Sequence, residues 1–257
     1  MKIMLDAGHY GEYNRSPVVP EYYESKRMWV LCEYLFDELT KYGFEVLKTR
    51  TDQNTDLAVV KRGELAKGCD LFISLHSNAV GNGGGESTDR VSVYAPFDRR
   101  NGSFELANLL ANAVKECMGV SKCVVKTRKS EKGDYEYYGV LRGASSVGCP
   151  LYYIVEHSFH TNKQAAEWLM SDDNLLRLAR IEAAVIAAYF GYFKKPYEKG
   201  DVDMNGRLDS IDVMLIKRAY FGTVELTKEQ KALADMDENG EIDVFDYIAA
   251  KRKYFNL

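Results

Sequence analysis

The sequence predicts an α/β domain with a twisted, mostly parallel or mixed sheet and helices on both faces, followed by a small all-helical module. Three observations predict this. Apolar strand-type runs alternate with helix-period segments over the first 193 residues, and the connections between them are short. Beyond about residue 200 the composition shifts and a twelve-residue pattern repeats. The 257 residues suit one large domain, or an ordinary one with a module attached. Apolar residues at 46% and charged residues at 28% exclude a mainly disordered or collagen-like chain. No run approaches the roughly 18 uncharged apolar residues of a membrane span, so a soluble chain is expected.

Lys2–Asp6 is a short apolar run stopped by Ala7 and Gly8, a strand and its turn. In Glu24–Tyr42, Met28, Cys32, Leu35 and Leu39 recur at steps of four, three and four and share one helical face. Gly43 follows where a helix C-terminus prefers glycine. Phe44–Thr49 reads as the second strand and Leu57–Lys67 as the second helix, closed by Gly68. The middle of Asp70–His76 is apolar without alternation, as in a strand buried on both faces. Gly81–Gly85 reads as a loop, Val91–Ala95 as a strand and Ser103–Met118 as a helix. Leu151–Glu156 is another buried strand, and Asp173–Phe190 the last long helix. Lys194–Gly200, charged and proline-containing, reads as a linker. The expected organisation is therefore a domain over 1–193, a linker over 194–199 and a module over 200–257.

The net charge of -4 argues against a general nucleic-acid or anionic-membrane binder. All of that imbalance lies in residues 200–257, which hold 12 acids and 8 bases, against 26 of each elsewhere. Five cysteines without a C-x-x-C pair predict free, buried thiols rather than a disulfide framework or an all-cysteine zinc site. The N-terminus runs straight into a strand pattern with no basic or apolar leader, so the chain either carries no export signal or has lost one.

Within the acidic tail, Asp201–Asp212 recurs 34 residues later as Asp235–Asp246. A calcium loop draws oxygens from positions 1, 3, 5, 7, 9 and 12 and turns sharply at a glycine in position 6. The first copy offers Asp201, Asp203, Asn205, the Arg207 carbonyl, Asp209 through water, and Asp212, with Gly206 at the turn. The second offers Asp235, Asp237, Asn239, the Glu241 carbonyl, Asp243 and Asp246, with Gly240. Two structural calcium ions are expected. Position 12 is Asp rather than Glu, one helix follows each loop, and each helix carries a Lys-Arg pair, at Lys217-Arg218 and Lys251-Arg252. Residues 200–257 thereby resemble a dockerin. That resemblance implies a cohesin-type partner, with a cell-wall partner as the alternative and specificity left open by Ser210-Ile211 and Val244-Phe245 at positions 10 and 11.

His9 lies just past the first strand and His76 closes a central one. In open α/β sheets the carboxyl ends of strands converge on one crevice, so the two histidines are placed to share a ligand. A catalytic zinc takes three protein ligands, and the third could be Glu12, Glu21 or Glu24. Glu156 ends a buried strand, where a carboxylate could move protons between a water and a leaving amine.

Asp6–His9, a glutamate opening the first helix, Ser74–Ala79 and Val155–Asn162 together resemble the zinc-dependent N-acetylmuramoyl-L-alanine amidases. Thr49–Thr51 and Gly139–Arg142 fit the same pattern. The resemblance implies one zinc on His9, Glu24 and His76, with Glu156 as catalytic acid and base. It implies hydrolysis of the amide joining muramic acid to L-alanine in peptidoglycan, and a substrate-binding role for Arg142. Tyr10 stands where the family usually has glycine, and 14–23 is an unfamiliar entry loop, so Glu21 remains the second choice of ligand. His157 and His160 are expected to support the centre from behind or to lie at the surface. A zinc carboxypeptidase, or a calcium-dependent interaction module on a silent amidase-like fold, are the rival readings. A wall enzyme of this kind is either a secreted autolysin or a phage or prophage endolysin released by a holin.

Overall fold

The computed structural model describes residues 1–81, 87–99, 102–192 and 197–256. Most of the glycine-rich loop, and the linker residues 194–196, lie outside the described residues. The chain divides into two compact units, Met1–Phe193 and Lys194–Leu257.

In the first unit the strands are β1 (Lys2–Ala7), β2 (Glu45–Lys48), β3 (Leu71–Asn78), β4 (Val91–Tyr94), β5 (Cys123–Lys126) and β6 (Leu151–Phe159). They form one sheet in the order β2-β1-β3-β6-β4-β5. β2, β1, β3 and β6 run parallel, β4 runs antiparallel to β6, and β5 follows β4 in parallel, so the sheet is mixed. The carboxyl ends of β1, β3 and β6 therefore emerge at one edge, where a crevice forms.

Alternation along the strands sends side chains to two faces. Ile3, Leu5, Leu71, Ile73, Tyr153 and Val155 join the larger core. Buried residues of α1 (Glu24–Lys41), α3 (Ser103–Met118), α5 (Lys163–Met170) and α6 (Asp172–Tyr189) belong to that same core. Met4, Phe72, Tyr152 and Ile154 face the other way, into a smaller core with Val140, Leu141 and Ala144 of α4 (Gly139–Ser146). α4 packs against α2 (Val59–Glu64), backbone to backbone. A Cβ on Gly63 would stand 2.0 Å from the Val140 carbonyl oxygen, and one on Gly143 2.1 Å from that of Val60.

The helix expected over Leu57–Lys67 is shorter, and the strand expected to end at Glu156 runs on to Phe159. β5, α4 and α5 were not expected. Cys32, Cys69 and Cys149 are buried free thiols, while Cys117 and Cys123 are half-buried. Among the described residues no helix is long and apolar enough to cross a membrane.

The second unit holds α7 (Ser210–Tyr220), α8 (Lys228–Ala234) and α9 (Val244–Tyr254) around Val202, Ile216, Leu226, Ala234 and Ala250. Asp209 and Asp243 cap α7 and α9, and Asp212 and Asp246 complete each capping box. α8 was unexpected, although Thr227 and Gln230 form a capping box readable in the sequence.

Candidate active site

The turn after β1 brings His9 to the crevice. A Cβ on Gly8 would lie 2.5 Å from His76 Cε1 and 2.7 Å from the Leu75 carbonyl oxygen, so glycine is required there. His9 itself has φ 59, a left-handed backbone that few residues other than glycine adopt. Its ring stacks on Tyr13 at 5.0 Å and meets the edge of His76 at 5.0 Å.

His76 projects from the end of β3 and is braced from below. Its Nε2 lies 3.1 Å from Ser74 Oγ, which donates to Asp6 Oδ2 at 2.6 Å. Thr49 Oγ1 donates to Asp6 Oδ1 at 2.7 Å, and Arg50 Nη2 to the Ala7 carbonyl at 2.7 Å. With its own proton spent on Asp6, Ser74 accepts from His76 Nε2–H, so Nδ1 is the nitrogen turned to Glu24. Glu24, the first residue of α1, is 1% exposed. Its Oε1 lies 2.8 Å from His76 Nδ1 and accepts from the Ser77 N–H at 3.1 Å, while Oε2 lies 3.4 Å from His9 Nε2. Burial opposes ionisation of Glu24, but the neighbouring imidazoles of His76 and His9 outweigh it, holding the carboxyl below its ordinary range. The donor atoms of His9, Glu24 and His76 all lie within 4.8 Å of one another. Glu21 is exposed, and exposed Glu12 pairs with Lys26, so Glu24 is the acid that the fold brings to the histidines.

Glu156 on β6 is the register partner of His76 on β3, so the two side chains share a face of the sheet. Among the described residues its Oε2 has neither solvent nor a hydrogen-bond partner. Burial pushes its carboxyl well above the usual range, the charge of Glu24 adds to this, and Lys126 opposes it. His9, His76 and Glu156 line a cavity of about 560 Å³ walled by Tyr10, Tyr13 and Tyr138. A larger cavity, about 770 Å³ in the second unit, includes Glu225, Lys231 and Asp235 but no histidine.

Residues 3–188 match the family model described as N-acetylmuramoyl-L-alanine amidase. The chain belongs to this family. Residues 199–253 match the dockerin type I domain. Among solved structures, the amidase catalytic domain of CwlV from Bacillus (Paenibacillus) polymyxa var. colistinus is 20% identical, with a TM-score of 0.61 over 75% of this chain and 99% of that one. AmiC2 of Nostoc punctiforme, also an N-acetylmuramoyl-L-alanine amidase, is 22% identical with a TM-score of 0.61, covering 74% of this chain and 97% of its own. The amidase from Clostridium difficile 630 is 20% identical with a TM-score of 0.61, covering 74% and 96%. At these identities the structures share the fold; membership rests on the family model. No curated protein matches the chain. The first unit is thus a peptidoglycan amidase, a wall-directed hydrolase.

In this amidase His157 and His160 are both buried, which corrects the surface alternative. His157 Nδ1 lies 2.9 Å from the His76 carbonyl oxygen, and Nε2 3.2 Å from Glu182 Oε1 on α6. His160 Nδ1 lies 3.0 Å from Ser77 Oγ, and its ring stacks on Tyr22. Burial lowers the pKa of His160 against the raising charge of Glu24. Glu182 went unrecognised in the sequence, yet its signal was there: it occupies an apolar helical face with Leu175, Leu178, Ala179 and Ile186. Arg142 is not among the residues lining the cleft. Its Nη1 donates to the carbonyls of Glu136 and Tyr137, and it lines a neighbouring cavity with Arg128 and Tyr135.

In the dockerin-type unit each expected loop closes on its first acid. Asp201 accepts from the backbone N–H groups of Asn205 and Gly206, and Asp235 from those of Asn239 and Gly240. Donor oxygens of Asp201, Asp203 and Asp212 cluster within 4.8 Å, as do those of Asp235, Asp237 and Asp246. Asp201, Asp212 and Asp246 are buried, and burial raises the carboxyls of Asp201 and Asp212.

Proposed function

We propose that His9, Glu24 and His76 hold one zinc ion and that Glu156 is the acid and base of amide hydrolysis between muramic acid and L-alanine. The supporting observation is a convergent His-Glu-His donor set beside the cleft that Glu156 lines, with Glu156 Oε2 buried and without a hydrogen-bond partner among the described residues. The donors fit zinc: two imidazoles and one carboxylate are its usual catalytic ligands. Bound there, zinc would polarise the scissile carbonyl and bring the pKa of water towards about 7.

The rest is done by the chain itself. Glu156 takes a proton from the attacking water as the carbon–oxygen bond forms. It returns that proton to the alanine nitrogen as the carbon–nitrogen bond breaks; the acid's remaining proton passes to the released amine, leaving a lactyl carboxylate and an ammonium group. Asp6 and Ser74 fix the ring of His76, and Ser77 N–H fixes Glu24. Tyr10, Tyr13 and Tyr138 supply the aromatic walls against which the substrate rests. Arg142 holds the 136–137 backbone and contributes a cation to the adjoining cavity, where a stem-peptide carboxylate would be met.

For the tail, two calcium ions are assigned to Asp201, Asp203, Asn205, Arg207 and Asp212, and to Asp235, Asp237, Asn239, Glu241 and Asp246. The buried acids of each loop, raised in pKa at Asp201 and Asp212, are what a divalent cation would neutralise. A catalytic domain over 1–193, a linker over 194–199 and a docking module over 200–257 follow, with a cohesin-type partner for the module. Such a module favours action outside the cell, as a bacterial wall autolysin.

Digestion of purified peptidoglycan tests the reaction. New N-terminal L-alanine and unsubstituted lactyl groups are expected, and should vanish with a zinc chelator; release of C-terminal amino acids instead would mean a carboxypeptidase. Glu156→Ala should retain zinc but lose about 10²–10⁴ in rate. Wild-type rates from that variant would remove Glu156 from the chemistry.

A further inference from the structure

Asn14 stands inside the donor set. Its Nδ2 lies 2.6 Å from Glu24 Oε2 and 3.0 Å from His9 Nε2, two of the three converging donors. Its backbone is fixed in that place. Asn14 has φ 53, and its carbonyl accepts the Glu24 N–H at 3.0 Å. The preceding residue, Tyr13, is held by Ser25 Oγ at 2.9 Å and stacks on the His9 ring. The entry loop, unusual in sequence, thus delivers a carboxamide to the centre.

A carboxylate oxygen can accept an N–H and hold a cation at once, but His9 Nε2 has a single lone pair, which an N–H and a cation cannot share. A half-turn of the amide puts an oxygen where the nitrogen was, and the two atoms differ by that rotation alone. Resting on the reading of His9, Glu24 and His76 as a zinc centre, we propose that Asn14 is a further protein donor to it. The carboxamide oxygen faces the ion when the site is loaded, and the amide nitrogen bridges Glu24 and His9 when it is empty. Catalytic zinc can expand from four ligands to five, so a fourth protein donor would still leave room for water.

The test is the zinc dissociation constant of the full chain, measured against a zinc-selective chromophoric chelator with calcium present. Asn14→Ala should weaken zinc binding tenfold or more, whereas Asn14→Asp, which keeps an oxygen, should match or exceed wild type. Asn14→Ala within twofold of wild type overturns the proposal, and so does tighter binding, since the amide would then be a plug. Equal weakening by both variants also overturns it, because the N–H would be the atom that matters. Should Asn14→Ala fail to fold by circular dichroism, Asn14→Asp against wild type decides: affinity held or raised supports the proposal, affinity lost overturns it. A wild-type chain that takes up no zinc ends the metal-centre reading and this one together; a zinc-binding wild type with an unaffected Asn14→Ala ends this one alone.

Discussion

Glu156 shows what burial of a carboxyl does to stability. Burial raises its carboxyl above the ordinary value of 4.5, with the charge of Glu24 adding, so the folded protein holds that proton more tightly than the unfolded chain does. Stability therefore falls as pH rises from the ordinary carboxylate range through the raised folded value, and the full penalty applies above it. Zinc-free, calcium-replete Glu156→Gln should melt higher than wild type at pH 7, and the gap should close below about pH 4. Equal melting temperatures at pH 7 would contradict the burial argument. His9, His76 and Glu156 were legible in the sequence because they lie just past β1 and towards the carboxyl ends of β3 and β6, where side chains converge. Asn14 and the Asp6–Ser74–His76 relay were not, since their roles depend on hydrogen bonds between segments that spacing along one chain does not display.

At the scale of elements, α2 and α4 approach so closely that Gly63 and Gly143 leave no room for a methyl group against the facing backbone. Gly143→Ala should cost about 1–3 kcal/mol through overpacking, read as a lower melting temperature of the first unit. An unchanged melting temperature would mean that the helices separate freely. The same pair explains what sequence periodicity could and could not reveal. α1 and α3 carry long apolar stripes, and their predicted limits agree with the structure to within a residue. α4 contains Gly139, Gly143, Ser145 and Ser146, poor helix formers that earn their place only through contact with α2. β5 is short and half-buried throughout, so no alternation marks it. α5 has eight residues and depends on the Asn162 cap.

At the scale of the whole molecule, the change in acidity near residue 200 coincides with the division into two units, because a calcium-type loop needs acids where a packed core needs apolar side chains. The second unit buries few large apolar groups, while Asp201, Asp212 and Asp246 are buried with them. Its folding should depend on calcium: a cation at a thousandfold its dissociation constant contributes about 4 kcal/mol. Calorimetry with a calcium-selective chelator should abolish or sharply lower one melting transition and leave the other in place. Movement of neither transition would dissociate the acidic loops from calcium. In the first unit, His76 and Glu156 occupy one rung of the sheet, so the pairing of β3 with β6 rather than any loop governs the interval between these two side chains. Rim segments other than those carrying His9 and Asn14 can consequently be exchanged or lengthened without moving His76 against Glu156.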